Sequence, residues 1–252
     1  MLAAYDLALT LGGTPVLAGV SAAIAPGQIT AIIGPNGAGK SSLLACLAGL
    51  VRPAAGRVTL DDAHLASLEA RQRARRIGFL PQVAEVNWDI DVETLVALGR
   101  LPHQGAGGAD AAAIAAAMAA TDTARLAGRV VNSLSGGERA RVLLARVLAG
   151  QPDYLLADEP LANLDPGHQL DTLACLRAAA AAGTGVAIVL HDLAHAARLA
   201  DHLVLLDQGR VRAAGPAAAV LTPEHLAAAY GVTAQPITTP DGHGSIIITG
   251  RL

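Results

Sequence analysis

The chain has 252 residues, a net charge of −3 and a pI near 6.2, which suits one large domain or a domain carrying an insertion. The acidic balance disfavours general nucleic-acid binding, and two cysteines, Cys46 and Cys175, are too few for a disulfide framework or a zinc site. Hydrophobic residues reach 52% and mean hydropathy is +0.43, yet the longest apolar run, Ala111 to Ala120, covers ten residues against the roughly 20 of a bilayer span.

The start, Met1 to Asp6, lacks the basic region and long apolar stretch of a secretory signal, so a cytosolic location is expected. Val16 to Ala25 alternates in character, and Pro26-Gly27 reads as a turn. Ile29-Thr30-Ala31-Ile32-Ile33 reads as a short buried strand, followed by a glycine-rich loop and a helix through Ser42 to Leu47. Pro53 to Gly56 is a second turn, and Arg57 to Leu60 a returning strand. The arginines at 71, 73, 75 and 76 read as a solvated helix face behind Glu69. Ile77 to Leu80 is a strand ending at Pro81-Gln82.

From about Val83 to Asn132 the pattern turns helical, with helices expected over Val92–Gly99, Ala109–Ala120 and Thr121–Leu126 and a link at Gly105-Ala106-Gly107-Gly108. Strand-helix alternation then returns. Ala140, Leu143, Leu144, Val147 and Leu148 share one helix face. Tyr154 to Ala157 and Val186 to Leu190 are continuous apolar runs, as in a parallel sheet covered on both faces. Leu203 to Leu206, Asp207-Gln208-Gly209 and Val211 suggest a hairpin.

The loop Gly34-Pro35-Asn36-Gly37-Ala38-Gly39-Lys40-Ser41 has the P-loop spacing, placed between a strand and a helix as that motif requires. Lys40 is the only lysine; the other 17 basic residues are arginine. A compact ammonium fits beside β- and γ-phosphate oxygens where a wide guanidinium does not. Glycines let backbone N–H groups face phosphate, Ser42 stands in the helix that adds its positive end, and the Ser41 hydroxyl suits Mg²⁺. Asp158, at the end of a predicted strand, is the expected acidic partner for that metal. Glu159 follows it, placed to orient or deprotonate an attacking water.

Leu134-Ser135-Gly136-Gly137-Glu138 opens the amphipathic helix and makes a second anion-binding helix start. With this element the chain resembles the ATP-binding cassette (ABC) family over nearly its whole length. The resemblance implies an α/β fold: a P-loop NTPase (RecA-like) core with an N-terminal antiparallel β part and an inserted α-helical subdomain. It divides the chain at 1–84, 85–133, 134–230 and a tail over 231–252. It further implies that Ser135, Gly136, Gly137 and Glu138 complete the nucleotide site of a second protomer. Gln82 then resembles the glutamine that senses Mg²⁺ and γ-phosphate, Asp165 an aspartate crossing the dimer interface, and His191 the switch histidine near the γ-phosphate. His191 and His195, four apart, also have the spacing of a metal pair, but no HExxH pattern accompanies them.

One position departs from the family pattern. Leu11 stands where an aromatic side chain usually stacks on adenine, and Tyr5 is out of register with it.

The resemblance implies an ATPase using ATP and Mg²⁺, working as a homodimer on separate membrane permease subunits at the cytoplasmic face of the inner membrane, and indirectly with a secreted substrate-binding protein, without nucleic acid. Leu65 to Leu68, Leu221-Thr222-Pro223-Glu224-His225-Leu226 and Tyr230-Gly231-Val232 are similar to importers of iron-siderophore, haem and vitamin B12 type. The competing implications are a soluble ABC ATPase of iron–sulfur assembly or nucleic-acid repair, and an importer ATPase for another substrate such as a metal ion.

Overall fold

Alternation near the N-terminus becomes an antiparallel sheet. In the computed structural model, which describes residues 1–83, 86, 88–103, 108–238 and 244–252, the chain begins with β1 (Leu2–Leu11), β2 (Thr14–Ile24), β3 (Ile29–Ile33), α1 (Lys40–Leu47), β4 (Ala55–Leu60), β5 (Ala63–His64), α2 (Ala70–Arg76) and β6 (Ile77–Leu80). Then come α3 (Val92–Ala97), α4 (Gly108–Ala120), α5 (Gly136–Ala149), β7 (Tyr154–Asp158), α6 (Pro166–Ala181), β8 (Gly185–Val189) and α7 (Leu193–Leu199). The chain closes with β9 (His202–Asp207), β10 (Arg210–Gly215), α8 (Ala217–Val220), α9 (Pro223–Tyr230), β11 (Val232–Thr238) and β12 (Gly244–Arg251).

The first sheet has the order β2-β1-β4-β5, and its register runs from Leu2 opposite Ile24 to Leu11 opposite Thr14. The larger sheet has the order β10-β9-β3-β8-β7-β6, parallel except for β10 at its edge. Every residue of β3, β7 and β8 is buried, which explains why these strands read as unbroken apolar runs. Their side chains still alternate between two cores. Leu155, Ala157, Val186 and Ile188 join α5, α6 and α7; Tyr154, Leu156, Ala187 and Val189 join α1 and the antiparallel sheet. Each fully buried leucine, isoleucine or valine here contributes roughly 1.5–3 kcal/mol, so the loops that leave this sheet start from a rigid base.

Between β6 and β7 the described chain is helical, and α3 and α4 pack on α5. Helix α3 ends at Ala97 and continues as a 3-10 turn over Leu98–His103. The helix expected over Thr121–Leu126 does not form. Asp122 adopts a left-handed backbone with φ 51°, and only a 3-10 turn over Ala124–Leu126 follows. Gly105, Ala106 and Gly107 of the expected link, and residues 84 and 85 at the expected division, lie outside the described residues. In α5 the single apolar face widens: Arg141 through Ala145 are all buried, because α3, α4 and the main sheet surround the helix.

Helix α2 buries no residue, in keeping with a solvated arginine face. Its arginines are nonetheless engaged: Arg71 and Arg75 donate to the Pro102 carbonyl, and Arg76 bridges Asp61 and Asp153. After Tyr230, β11 and β12 form an antiparallel pair that packs on α7 and α9. Among the described residues, no helix is long and apolar enough to cross a membrane.

Candidate active site

Four neighbouring parallel strands, β3, β8, β7 and β6, end on the same side of the main sheet. The glycine loop follows β3, His191 follows β8, Asp158 and Glu159 close β7, and Gln82 follows β6. Carboxyl ends of strands in an open α/β sheet are where ligands bind. Here they wall a cavity of about 660 Å³. Asn36, Gly37, Gly39, Lys40, Ser41 and Ser42 of the loop and helix start line it, together with Gln82, Glu159 and His191 from the neighbouring strand ends and Leu11 and Val16 from the antiparallel sheet.

The loop's shape depends on glycine at two points. Gly34 has φ 149°, and a Cβ there would lie 2.2 Å from the Leu206 carbonyl oxygen. Gly39 has φ 98°, and its Cβ would meet Leu17 and the Val16 carbonyl at 2.8 Å. Ala38 is buried, its N–H donating to Pro35 and its carbonyl accepting from Gly209. Lys40, 5% exposed, donates from Nζ to the carbonyls of Gly34 (2.9 Å) and Pro35 (3.0 Å). Burial holds its ammonium below the ordinary lysine value, and the charges of Glu159 and Asp158 work against that shift. A desolvated cation at the first turn of α1 favours an anion in the cavity beside it.

Ser41 Oγ donates to Asp158 Oδ1 at 3.0 Å. Asp158 is 6% exposed, and burial pushes its carboxyl above the usual range, opposed by the Ser41 bond. A hydroxyl and a buried carboxylate beside a phosphate cradle are the hard oxygen donors that suit Mg²⁺, so this pair fits the metal that the sequence implies.

Glu159 has a left-handed backbone, φ 49°, a costly state for a non-glycine residue. That turn places its carboxylate between two loops. Oε2 accepts from Gln82 Nε2 at 2.7 Å, and Oε1 contacts His191 Nε2. His195 goes elsewhere, with Nε2 facing Gln169 Oε1 at 3.2 Å. The two histidines therefore serve different partners.

Leu11 lies at the cavity's edge, 47% exposed. Tyr5 is stacked under the Arg57 guanidinium, 4.9 Å from ring centroid to Cζ. None of the five Tyr, Trp and Phe residues (three Tyr, one Trp, one Phe) is among the residues lining the cavity, so its large apolar lining residues are the aliphatic Leu11 and Val16. Val16 is a wall residue that the sequence reading did not single out. The only signal for it was the Gly12-Gly13 turn, which folds β2 back beside Leu11.

The structure keeps Ser135, Gly136, Gly137, Glu138 and Asp165 apart from this wall. They form a second cluster of their own. Ser135 caps α5: its Oγ accepts from Glu138 N, and its own N–H donates to Glu138 Oε2. Glu138 also pairs with Arg129, so its carboxylate is spent on local structure. Asp165 caps α6, and the nearest atom to a Cβ placed on Gly136 is the Asn163 carbonyl oxygen, at 4.0 Å.

A glycine loop with a buried lysine, a Ser–Asp pair and a carboxylate held at the ends of parallel strands define a P-loop nucleotide-binding protein. Residues 17–162 match the ABC transporter family, and the chain belongs to that family. It is 44% identical to the hemin import ATP-binding protein HmuV of Bordetella parapertussis, over 99% of both chains. It is 46% identical to the protein of that name from Pseudomonas fluorescens, over 98% of this chain and 99% of the relative. Among solved structures it is similar to the dimeric structure of a bacterial ABC transporter cassette, with TM-score 0.78 and 26% identity over 86% of this chain and 99% of that one.

Proposed function

We infer that this chain is the ATP-hydrolysing subunit of an ABC importer for hemin, acting at the cytoplasmic face of a membrane on separate permease subunits. The observation that carries the enzymatic part is Glu159, held by Gln82 and His191 in the cavity that Lys40 also lines. The substrate part is supported by hemin import relatives that match the chain end to end.

In this reading ATP lies along the loop from Gly34 to Ser42, with phosphate oxygens on the loop's N–H groups and on Lys40. Lys40 exchanges its carbonyl partners for phosphate. Leu11 and Val16 give the base apolar contact. Ser41, Asp158 and Gln82 would hold Mg²⁺, which would supply charge neutralisation on the phosphates. Glu159 orients the attacking water and takes its proton, and His191 supports the carboxylate and meets the γ-phosphate side. Such general-base assistance is worth roughly 10²–10⁴-fold.

The Ser135 helix start and Asp165 lie off this protomer's cavity, so the reading needs a second copy arranged head to tail. A related cassette has been solved as a dimer, which supports the pairing of two copies. Apolar side chains left exposed after Gln82, namely Val83 and Trp88, with Leu101 beyond them, suit contact with a permease. A secreted binding protein would deliver the substrate from the other side.

The test is reconstitution with the membrane subunits in liposomes, following hemin uptake and phosphate release together. ATP-dependent hemin accumulation is expected. ATP turnover with accumulation of a ferric siderophore or cobalamin instead of hemin would overturn the substrate; turnover with no transported solute would overturn the importer.

A further inference from the structure

Both carboxylate oxygens of Asp165 are taken by one residue. Oδ1 accepts from the backbone N–H of His168 at 3.0 Å, and Oδ2 meets His168 Nδ1 at 2.5 Å. A helix cap needs only the first of these bonds. The same imidazole closes against the start of α5: a Cβ built on Gly137 would come within 2.8–3.0 Å of three of its ring atoms. The ring thus touches the Ser135 helix start on one side and Asp165 on the other.

The surroundings fix it there. The His168 carbonyl accepts from Thr172 Oγ1 at 2.9 Å. The next residue, Gln169, donates to the carbonyls of Leu161 (3.4 Å) and Leu164 (3.1 Å) and meets His195 through its Oε1. The turn from Leu161 to Asp165, which includes the left-handed Asn163 at φ 60°, is therefore held from within its own helix.

We propose that His168 is a positioning residue of the ATPase cycle, locking Asp165 and seating on Gly137 so that the two segments meet a second protomer as one rigid surface. This rests on the reading above, in which both segments complete the partner's nucleotide site. The N–H groups at the start of α5 bind anions only where they point at them, and a misplacement of about 1 Å can cost on the order of 10²-fold in rate. Without the imidazole Asp165 keeps its backbone bond, but Oδ2 loses its partner and Gly137 loses its neighbour. The two segments then shift independently. ATP still binds to Lys40 and its loop on the other protomer, so the loss falls on turnover rather than on capture.

The experiment is steady-state ATP hydrolysis by the complete ATPase–permease complex carrying His168→Leu or His168→Asn, with thermal melts of both. Asparagine puts an N–H donor the same number of bonds from the backbone as Nδ1. His168→Leu is expected to lower kcat about tenfold with KM for ATP within about twofold, and His168→Asn to return kcat to within about threefold of wild type. If the leucine variant does not fold, His168→Gln, whose longer amide cannot place a donor at Nδ1, carries the same expected loss. A kcat for His168→Leu within twofold of wild type overturns the proposal. So does His168→Asn remaining as slow as His168→Leu, since the bond to Asp165 Oδ2 would then not be what joins the two segments. Failure of the underlying reading shows separately, as wild-type turnover insensitive to Glu159→Gln, and that result overturns both.

Discussion

Gln82 Nε2 donates to Glu159 Oε2 at 2.7 Å, so the loop after β6 grips the carboxylate that follows β7 on the neighbouring strand. A glutamine that binds the proposed base can move it when the helical segment beyond Gln82 moves. Glu159→Gln keeps the size and the hydrogen-bonding capacity but removes the proton acceptor. The expected result is a fall in kcat of roughly 10²–10⁴-fold with ATP still bound, measured by phosphate release and by retention of labelled nucleotide on the purified complex. Turnover near wild type would remove Glu159 from the proposed role.

Lys40 is enclosed, and its ammonium fits between two carbonyl oxygens 2.9 and 3.0 Å away. Arginine is wider and planar and cannot occupy that point without displacing the Gly34-Pro35 backbone, which Gly34 pins against Leu206. Lys40→Arg should therefore weaken ATP binding nearly as much as Lys40→Ala, by roughly 10- to 100-fold, the worth of a hydrogen bond to a charged group. Equilibrium titration with a fluorescent ATP analogue decides this. Full affinity in the arginine variant would mean that lysine's geometry does not explain its place as the chain's only lysine.

Why the phosphate site was legible, and its surroundings were not, has a physical basis. Lys40, Ser41, Asp158 and Glu159 sit in short contiguous motifs next to strands whose burial on both faces writes itself as apolar runs. Val16 reaches the cavity only through the register of the β1–β2 hairpin, which periodicity does not fix. Asp122 stops the helix expected after Thr121 by a left-handed turn that many residue types tolerate poorly and that aspartate accepts more readily. The β11–β12 pair gives weak alternation because Ile247 and Ile248, adjacent in β12, are both about half exposed. His168 carries no motif of its own; its contact with Gly137 exists only once α5 and α6 are packed.

The aliphatic lining at Leu11 and Val16 gives a gain-of-affinity prediction. Leu11, 47% exposed at the cavity edge, offers area but no ring. Leu11→Tyr should add a stacking surface worth roughly 0.5–1.5 kcal/mol, a two- to tenfold tighter Kd for ATP. Isothermal titration with ATP and GTP reads both affinity and base preference. Unchanged values for both would show that stacking at this position is irrelevant to binding.

Acid should unfold the chain through its helix caps. Glu138 lies below the ordinary glutamate value of 4.5, first because it accepts the Ser135 N–H and then because of Arg129 and Arg125. Asp165 and Asp91 are lowered likewise, by backbone N–H groups at the starts of α6 and α3. A group whose folded value is depressed binds fewer protons folded than unfolded. Its contribution is therefore present above the unfolded value and lost as pH falls through the folded one. Glu138→Gln keeps the capping box, which accepts either residue at that position, but cannot titrate. Melting temperatures measured by circular dichroism from about pH 6 to pH 3 should show wild type losing stability below about pH 4.5. The variant should start lower at neutral pH and lose less across the same window. Parallel curves for the two proteins would mean that the Ser135–Glu138 box does not couple to folding in acid.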